Sequence, residues 1–189
     1  PERPSFVVNA VIHALCRLTK LGWCSDVALR GFMEDLVQLL KADVPHAVLS
    51  LRILSELVTE FELGRSDASS RLDPEGRMVA QAFREQDGLT RVFHLALEAV
   101  HSACNAKGQP EGRAILQQAL LTLHTCLAYD FVGTGYSESD DVVACLYIPV
   151  EWTKHIATAE ALRLLFQIYI AQWQVSNESE VDTSEEGPA

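Results

Sequence analysis

Basic residues are scarce in this sequence: 15 Lys and Arg stand against 26 Asp and Glu, a formal net charge of −11. Nucleic acid requires a basic stripe to neutralise its phosphates and an anionic bilayer attracts one, so neither is an expected partner. Basic partners are favoured instead. Long apolar runs are also missing, and none approaches the roughly 18 residues that a membrane span needs. The opening Pro-Glu-Arg-Pro lacks the charged-then-apolar layout of a signal peptide. A soluble, non-secreted chain without membrane insertion is expected.

The motifs of common chemistries are missing too. There is no Cys-x-x-Cys and no His-Glu-x-x-His. His13 with Cys16 and His101 with Cys104 have a spacing that could aim two ligands at one metal, and His124 stands near Cys126. These pairs fall on different predicted helices, each with its histidine towards the polar flank and its cysteine towards the apolar one, so no metal site is expected. Five cysteines (Cys16, Cys24, Cys104, Cys126, Cys145) are an odd number, and four lie in or beside apolar segments. They read as free structural thiols in a reducing compartment rather than as nucleophiles. Gly133-Thr134-Gly135 lacks a following Gly-Lys-Ser/Thr and is followed by acids, so a phosphate cradle is rejected. No catalytic residue and no cofactor is expected, and the chain reads as a non-enzyme.

Helical periodicity is abundant. From Phe6 to Leu21 an apolar stripe of Val7, Val11, Ala14, Leu18 and Leu21 is opposed by Asn9, His13, Arg17 and Lys20. Gly22 ends that helix, and Ser25-Asp26 supplies an N-cap for a second one carrying Leu29, Phe32, Met33, Leu36, Val37 and Leu40. Asp43, followed by Pro45, opens a third helix, whose stripe of Ala47, Leu51, Leu54, Val58 and Phe61 is broadened by Ile53 and Leu57. A polar loop over 64–74 precedes a helix from Glu75 to Glu85. Gly88 opens a fifth helix facing inwards through Val92, Ala96, Ala99, Val100 and Ala103. A sixth, from about Glu111 to Tyr129, packs through Leu116, Leu120, Leu123 and Leu127, with Leu121 and Ala128 making its back apolar as well. Thr158 caps a last helix with Leu162, Leu165, Phe166, Tyr169 and Trp173.

Turns of two to four residues force neighbouring helices into antiparallel pairs. A helix apolar round much of its circumference touches both its own partner and the next pair, and pairs of about 40 to 45 residues match HEAT-like units. The expected fold is all-α, a HEAT-repeat-like α-solenoid, with a single compact bundle as the alternative. Residues 1–175 are expected to form one continuous repeat segment, and 176–189 an acidic, disordered tail. A helical pattern that begins almost at once, without an initiator methionine, reads as a piece of a longer chain.

One stretch interrupts the pattern. Between Cys126 and Trp152 come Gly133 and Gly135, then an acidic cluster of Glu138, Asp140 and Asp141, then a short apolar run ending at Ile148-Pro149. The glycines provide the turn out of one helix, and Pro149 restricts Ile148 to extended geometry on re-entry. Glu138, Asp140 and Asp141 are the candidate protein-binding residues, an inter-repeat loop that could meet a basic partner.

Arg17-Leu-Thr-Lys-Leu-Gly-Trp23, the Cys126-Leu-x-x-Asp-Phe-x-Gly-Thr134 run with Glu138-Ser-Asp-Asp141, and Ile148-Pro-x-x-Trp152 resemble, in order and spacing, the exportin-7 group of nuclear transport receptors. This group is also called Ran-binding protein 16 and 17. Leu51 to Thr59 and Ala80 to Arg84 are similar in the same register, so the resemblance extends to about Trp173. Residues 64–74 and the acidic tail depart from it.

The resemblance implies an early portion of a karyopherin-β superhelix that carries protein cargo through nuclear pores under control of the GTPase Ran. The implied partners are Ran in its GTP form, cargo, and nucleoporins through the longer parent, with a location shuttling between nucleus and cytoplasm. A helical-repeat scaffold without Ran dependence is the alternative, followed by a helical metalloprotein or enzyme.

Overall fold

A computed structural model describes residues 5–62, 74–105, 110–129, 131, 150, 152–153 and 158–182. Among these residues there are seven helices and no strand: α1 Ser5–Gly22, α2 Val27–Leu40, α3 Val44–Phe61, α4 Pro74–Glu85, α5 Gly88–Asn105, α6 Pro110–Leu127 and α7 Ala159–Asp182. The chain divides into two compact units, Pro1–Tyr147 and Ile148–Ala189.

The helices begin where the sequence places their caps. The Asp26 carboxylate accepts a hydrogen bond from the Ala28 amide at 2.8 Å, and that of Asp43 accepts one from the His46 amide at 3.0 Å. The Thr158 hydroxyl accepts one from the Ala161 amide at 3.1 Å. Each side chain satisfies an N–H that the first helical turn leaves without a partner. The α4–α5 turn is only two residues long, and Asp87 takes a left-handed conformation (φ 62°) to make it.

In the first unit α1, α3 and α6 lie side by side as one layer, with α2 covering α3 and α5 covering α6 in a second layer. These two pairs are the repeated units of an all-α helical-repeat segment, stacked through α3 against α6. Burial follows the stacking. Leu51, Leu54, Leu57, Val58 and Phe61 of α3 are fully buried, because α3 meets α1, α2, α4, α5 and α6. Trp23 stands edge-on to Phe61 and Phe83, with ring centroids at 5.2 and 5.3 Å, and Phe61 stacks on Phe83 at 4.2 Å. This aromatic cluster ties the α1–α2 turn to α3 and α4.

Three expectations about faces are corrected. On α1 the buried line is Ile12, Cys16 and Thr19, while the expected stripe of Val7, Val11, Ala14, Leu18 and Leu21 is exposed. Both sides of α1 are apolar, and the polar residues that flank the buried line find partners on α3. On α6 the buried set is Ala119, Thr122, Leu123 and Cys126, and Leu121 is exposed. Small side chains at 119, 122 and 126 let α6 approach α3 and α5 closely. On α7 Leu162, Leu165, Phe166 and Tyr169 are exposed and Ile168 is buried. The α7 helix runs to Asp182. Residues 183–189 lie outside the described residues.

Candidate functional site

The acidic cluster expected to bind protein, Glu138, Asp140 and Asp141, lies outside the described residues, as do Gly133 and Gly135. The described residues carry a different polar constellation, between α1 and α3. Because α1 runs along α3, residues spaced about one turn apart on each helix come opposite one another. The Arg52 guanidinium donates to the Asn9 side-chain carbonyl. One turn on, His13 Nδ1 and Glu56 Oε1 are 2.5 Å apart. At the far end the Lys20 ammonium donates to the main-chain carbonyl of Glu60 and lies 3.8 Å from its carboxylate.

These pairs differ in exposure. The Lys20 and Glu60 side chains are 17% and 8% exposed, so they hold the interface together, whereas those of His13 and Glu56 are 57% and 33% exposed and can exchange partners with an incoming ligand. Asn9, Ala10, Ile12, His13, Arg52 and Glu56 line an open groove of about 400 Å³. Its floor is apolar at Ile12, and its walls offer amide, imidazole, guanidinium and carboxylate groups. Such a groove suits the mixed polar and apolar surface of a polypeptide.

Sequence reasoning placed Asn9, His13 and Lys20 on an outward face. The signal it missed is on α3, where Arg52, Glu56 and Glu60 recur every four residues on a helix otherwise apolar round most of its circumference. Charged groups on such a helix need partners from a neighbour.

The thiols are placed for packing. Cys16 is fully buried and its Sγ lies 3.6 Å from the Ile53 carbonyl, to which it donates. Burial, with the nearby Glu56 and Glu60 charges, pushes its pKa up to about 12, so the thiol is protonated at neutral pH. Burial also raises the Cys126 thiol and, more modestly, that of Cys104. His101 and His124 are exposed while Cys126 is buried, and no cluster of three metal-ligating side chains occurs among the described residues. A further ion pair, Arg91 with Glu34 at 2.6 Å, links α5 to α2 across the stacked pairs.

The chain is similar in sequence to exportins and Ran-binding proteins. It is 31% identical over 183 residues to Exportin-7-A of Xenopus laevis, a match that takes in 89% of this chain and 16% of the relative. It is 30% identical over 176 residues to Ran-binding protein 17 of Homo sapiens, again over 89% and 16%. Ran-binding protein 16 of Drosophila melanogaster is 29% identical over 182 residues with the same coverage. The chain therefore spans about 16% of the length of the curated relatives it matches. No family model and no solved structure matches it.

Proposed function

We propose, from the premise that this chain's curated homologues are exportin-7 and Ran-binding proteins 16 and 17, that it is a non-enzymatic segment of a nuclear transport receptor. In this reading it contributes part of a surface that binds Ran in the GTP form and protein cargo, and the parent shuttles between nucleus and cytoplasm, meeting nucleoporins on the way. The observation that supports it is similarity over 89% of the chain, with α2/α3 and α5/α6 packed as stacked pairs. Stacked pairs present extended ladders of side chains, a form suited to large protein ligands rather than to small substrates. The net charge of −11 favours basic partner surfaces and accelerates encounter with them.

Within that surface we assign two contact regions. One is the Asn9/His13/Arg52/Glu56 groove, and the other is the acidic sequence segment with Glu138, Asp140 and Asp141. The test is retention of the chain on immobilised Ran loaded with a non-hydrolysable GTP analogue or with GDP. Retention on the GTP form alone, weakened when Glu138, Asp140 and Asp141 are all changed to Lys, is the expected result. Equal retention on both forms, or none, overturns the Ran reading and leaves a Ran-independent helical scaffold.

A further inference from the structure

We infer that the groove between α1 and α3 takes an Asp or Glu side chain of a protein partner, held by the Arg52 guanidinium; this rests on the reading of that groove as a contact region. Arg52 is half-buried and donates to the side-chain carbonyl of Asn9, but it has no acid partner among the described residues. Glu56, one turn further along α3, does not serve it. The Glu56 carboxylate is engaged by His13, with Oε1 and Nδ1 2.5 Å apart. A guanidinium presents a planar fork of N–H donors, so Arg52 keeps donors for a two-pronged contact with an incoming carboxylate. An unmatched guanidinium stands out in a chain where 26 acids face 15 Lys and Arg.

The surroundings favour the same ligand. Residues 5–22 contain no acid, and Arg17, one turn beyond His13 on α1, also has no ion pair among the described residues. Lys20 is matched by Glu60. Arg17 and Arg52 therefore outweigh Glu56, and the field at the groove is locally positive although the whole chain is acidic. That excess of one charge suits a single carboxylate better than a phosphate dianion, which Glu56 would repel more strongly. Ile12 on the floor and Ala10 on the wall meet the methylenes that carry such a carboxylate. Asn9 and His13 set the direction in which the groove opens. Val11 is two residues from each, about 200° away round the helix, so a neighbour resting on the apolar stripe of Val7, Val11 and Leu18 leaves the groove open.

The test is the backbone amide NMR spectrum of the 189-residue chain, titrated at fixed ionic strength with an N-acetylated, C-amidated peptide of alternating Glu and Ala. Its blocked ends leave side chains as its only carboxylates. Matched peptides with Gln or Lys in place of Glu, and inorganic phosphate, are the comparisons. The Glu peptide alone is expected to shift the signals of Asn9, His13 and Arg52, and to do so saturably. Arg52→Gln weakens that binding about tenfold or more, and Glu56→Gln, which removes the opposing acid, strengthens it. Should Arg52→Gln disturb signals throughout the spectrum, Arg52→Lys makes the comparison, since it keeps the charge, loses the fork and again binds more weakly. An equal response to the Gln peptide, a stronger one to the Lys peptide or to phosphate, or binding indifferent to Arg52 each overturns the assignment. Ran takes no part in this titration, so its failure and the failure of GTP-dependent retention are separate results.

Discussion

The Tyr129 hydroxyl donates a hydrogen bond at 3.2 Å to the main-chain carbonyl of Phe61. Phe61 is the last residue of α3, and carbonyls in the final turn of a helix have no partner within it. Tyr129 lies just beyond the end of α6, so the bond fastens the ends of the two stacked helices to each other in a buried setting. Tyr129→Phe keeps the ring and removes only the donor, leaving a buried carbonyl unsatisfied. The expected loss is about 1–3 kcal/mol, read as a lower urea midpoint with an unchanged slope.

Gly88 and Gly31 make opposite predictions for the same substitution. A Cβ on Gly88 would lie 2.5 Å from a Phe83 ring carbon and 2.9 Å from the Phe83 carbonyl oxygen. That ring is held between Trp23 and Phe61 and cannot yield cheaply. Gly88→Ala should therefore cost about 1–3 kcal/mol through overpacking. Gly31, inside α2 with nothing within 4 Å of its Cβ position, should gain up to about 1 kcal/mol as Ala from helix propensity. Thermal midpoints of the two variants moving the same way would contradict this account of the aromatic cluster.

Local signals in the sequence located the helices well, because caps such as Asp26, Asp43 and Thr158 act within one turn of themselves. The α3 core was legible for the same kind of reason: a helix with apolar residues all round can only be central. The orientation of α1 was not legible. Its stripe at Val7, Val11, Ala14, Leu18 and Leu21 and its line at Ile12, Cys16 and Thr19 are both apolar enough to bury, and only the ladder from α3 chooses between them. That choice depends on Arg52, Glu56 and Glu60, more than 30 residues away in the chain. The expected protein-binding acids, Glu138, Asp140 and Asp141, were legible as a charge cluster but lie outside the described residues.

Thiol reactivity should divide by position. Cys24 is exposed, whereas Cys16 and Cys126 are buried with raised pKa values. With the Cys16 thiol pushed up to about 12 from an ordinary 9.0, only about one molecule in ten thousand carries the thiolate at pH 8. Alkylation of the native protein followed by peptide mapping should mark Cys24 within minutes and spare Cys16 and Cys126 until denaturant is added. The folded state holds the Cys16 proton more tightly than the unfolded one. Stability from this site is thus full below pH 9 and declines as pH rises from 9 towards 12. Rapid native labelling of Cys16 would contradict its buried placement against the Ile53 carbonyl.

Lys20 and Glu60 allow the α1–α3 ladder to be tested as a coupling rather than as a list of contacts. Lys20 serves two acceptors on one residue: it donates to the Glu60 carbonyl and lies 3.8 Å from its carboxylate. Lys20→Met removes both interactions and leaves a carboxylate only 8% exposed without its counter-charge. The expected cost is about 2–3 kcal/mol, more than an exposed ion pair returns. Glu60→Met abolishes the charge pair but spares the carbonyl acceptor, so Lys20 keeps one bond. In the Glu60→Met background, Lys20→Met should then cost only about 1 kcal/mol, the value of a single hydrogen bond. The four urea curves of this cycle give a coupling of about 1–2 kcal/mol if the carboxylate and ammonium interact across the helices. Strict additivity would mean that the carbonyl bond alone holds Lys20 in place, and that the charge on Glu60 is matched elsewhere.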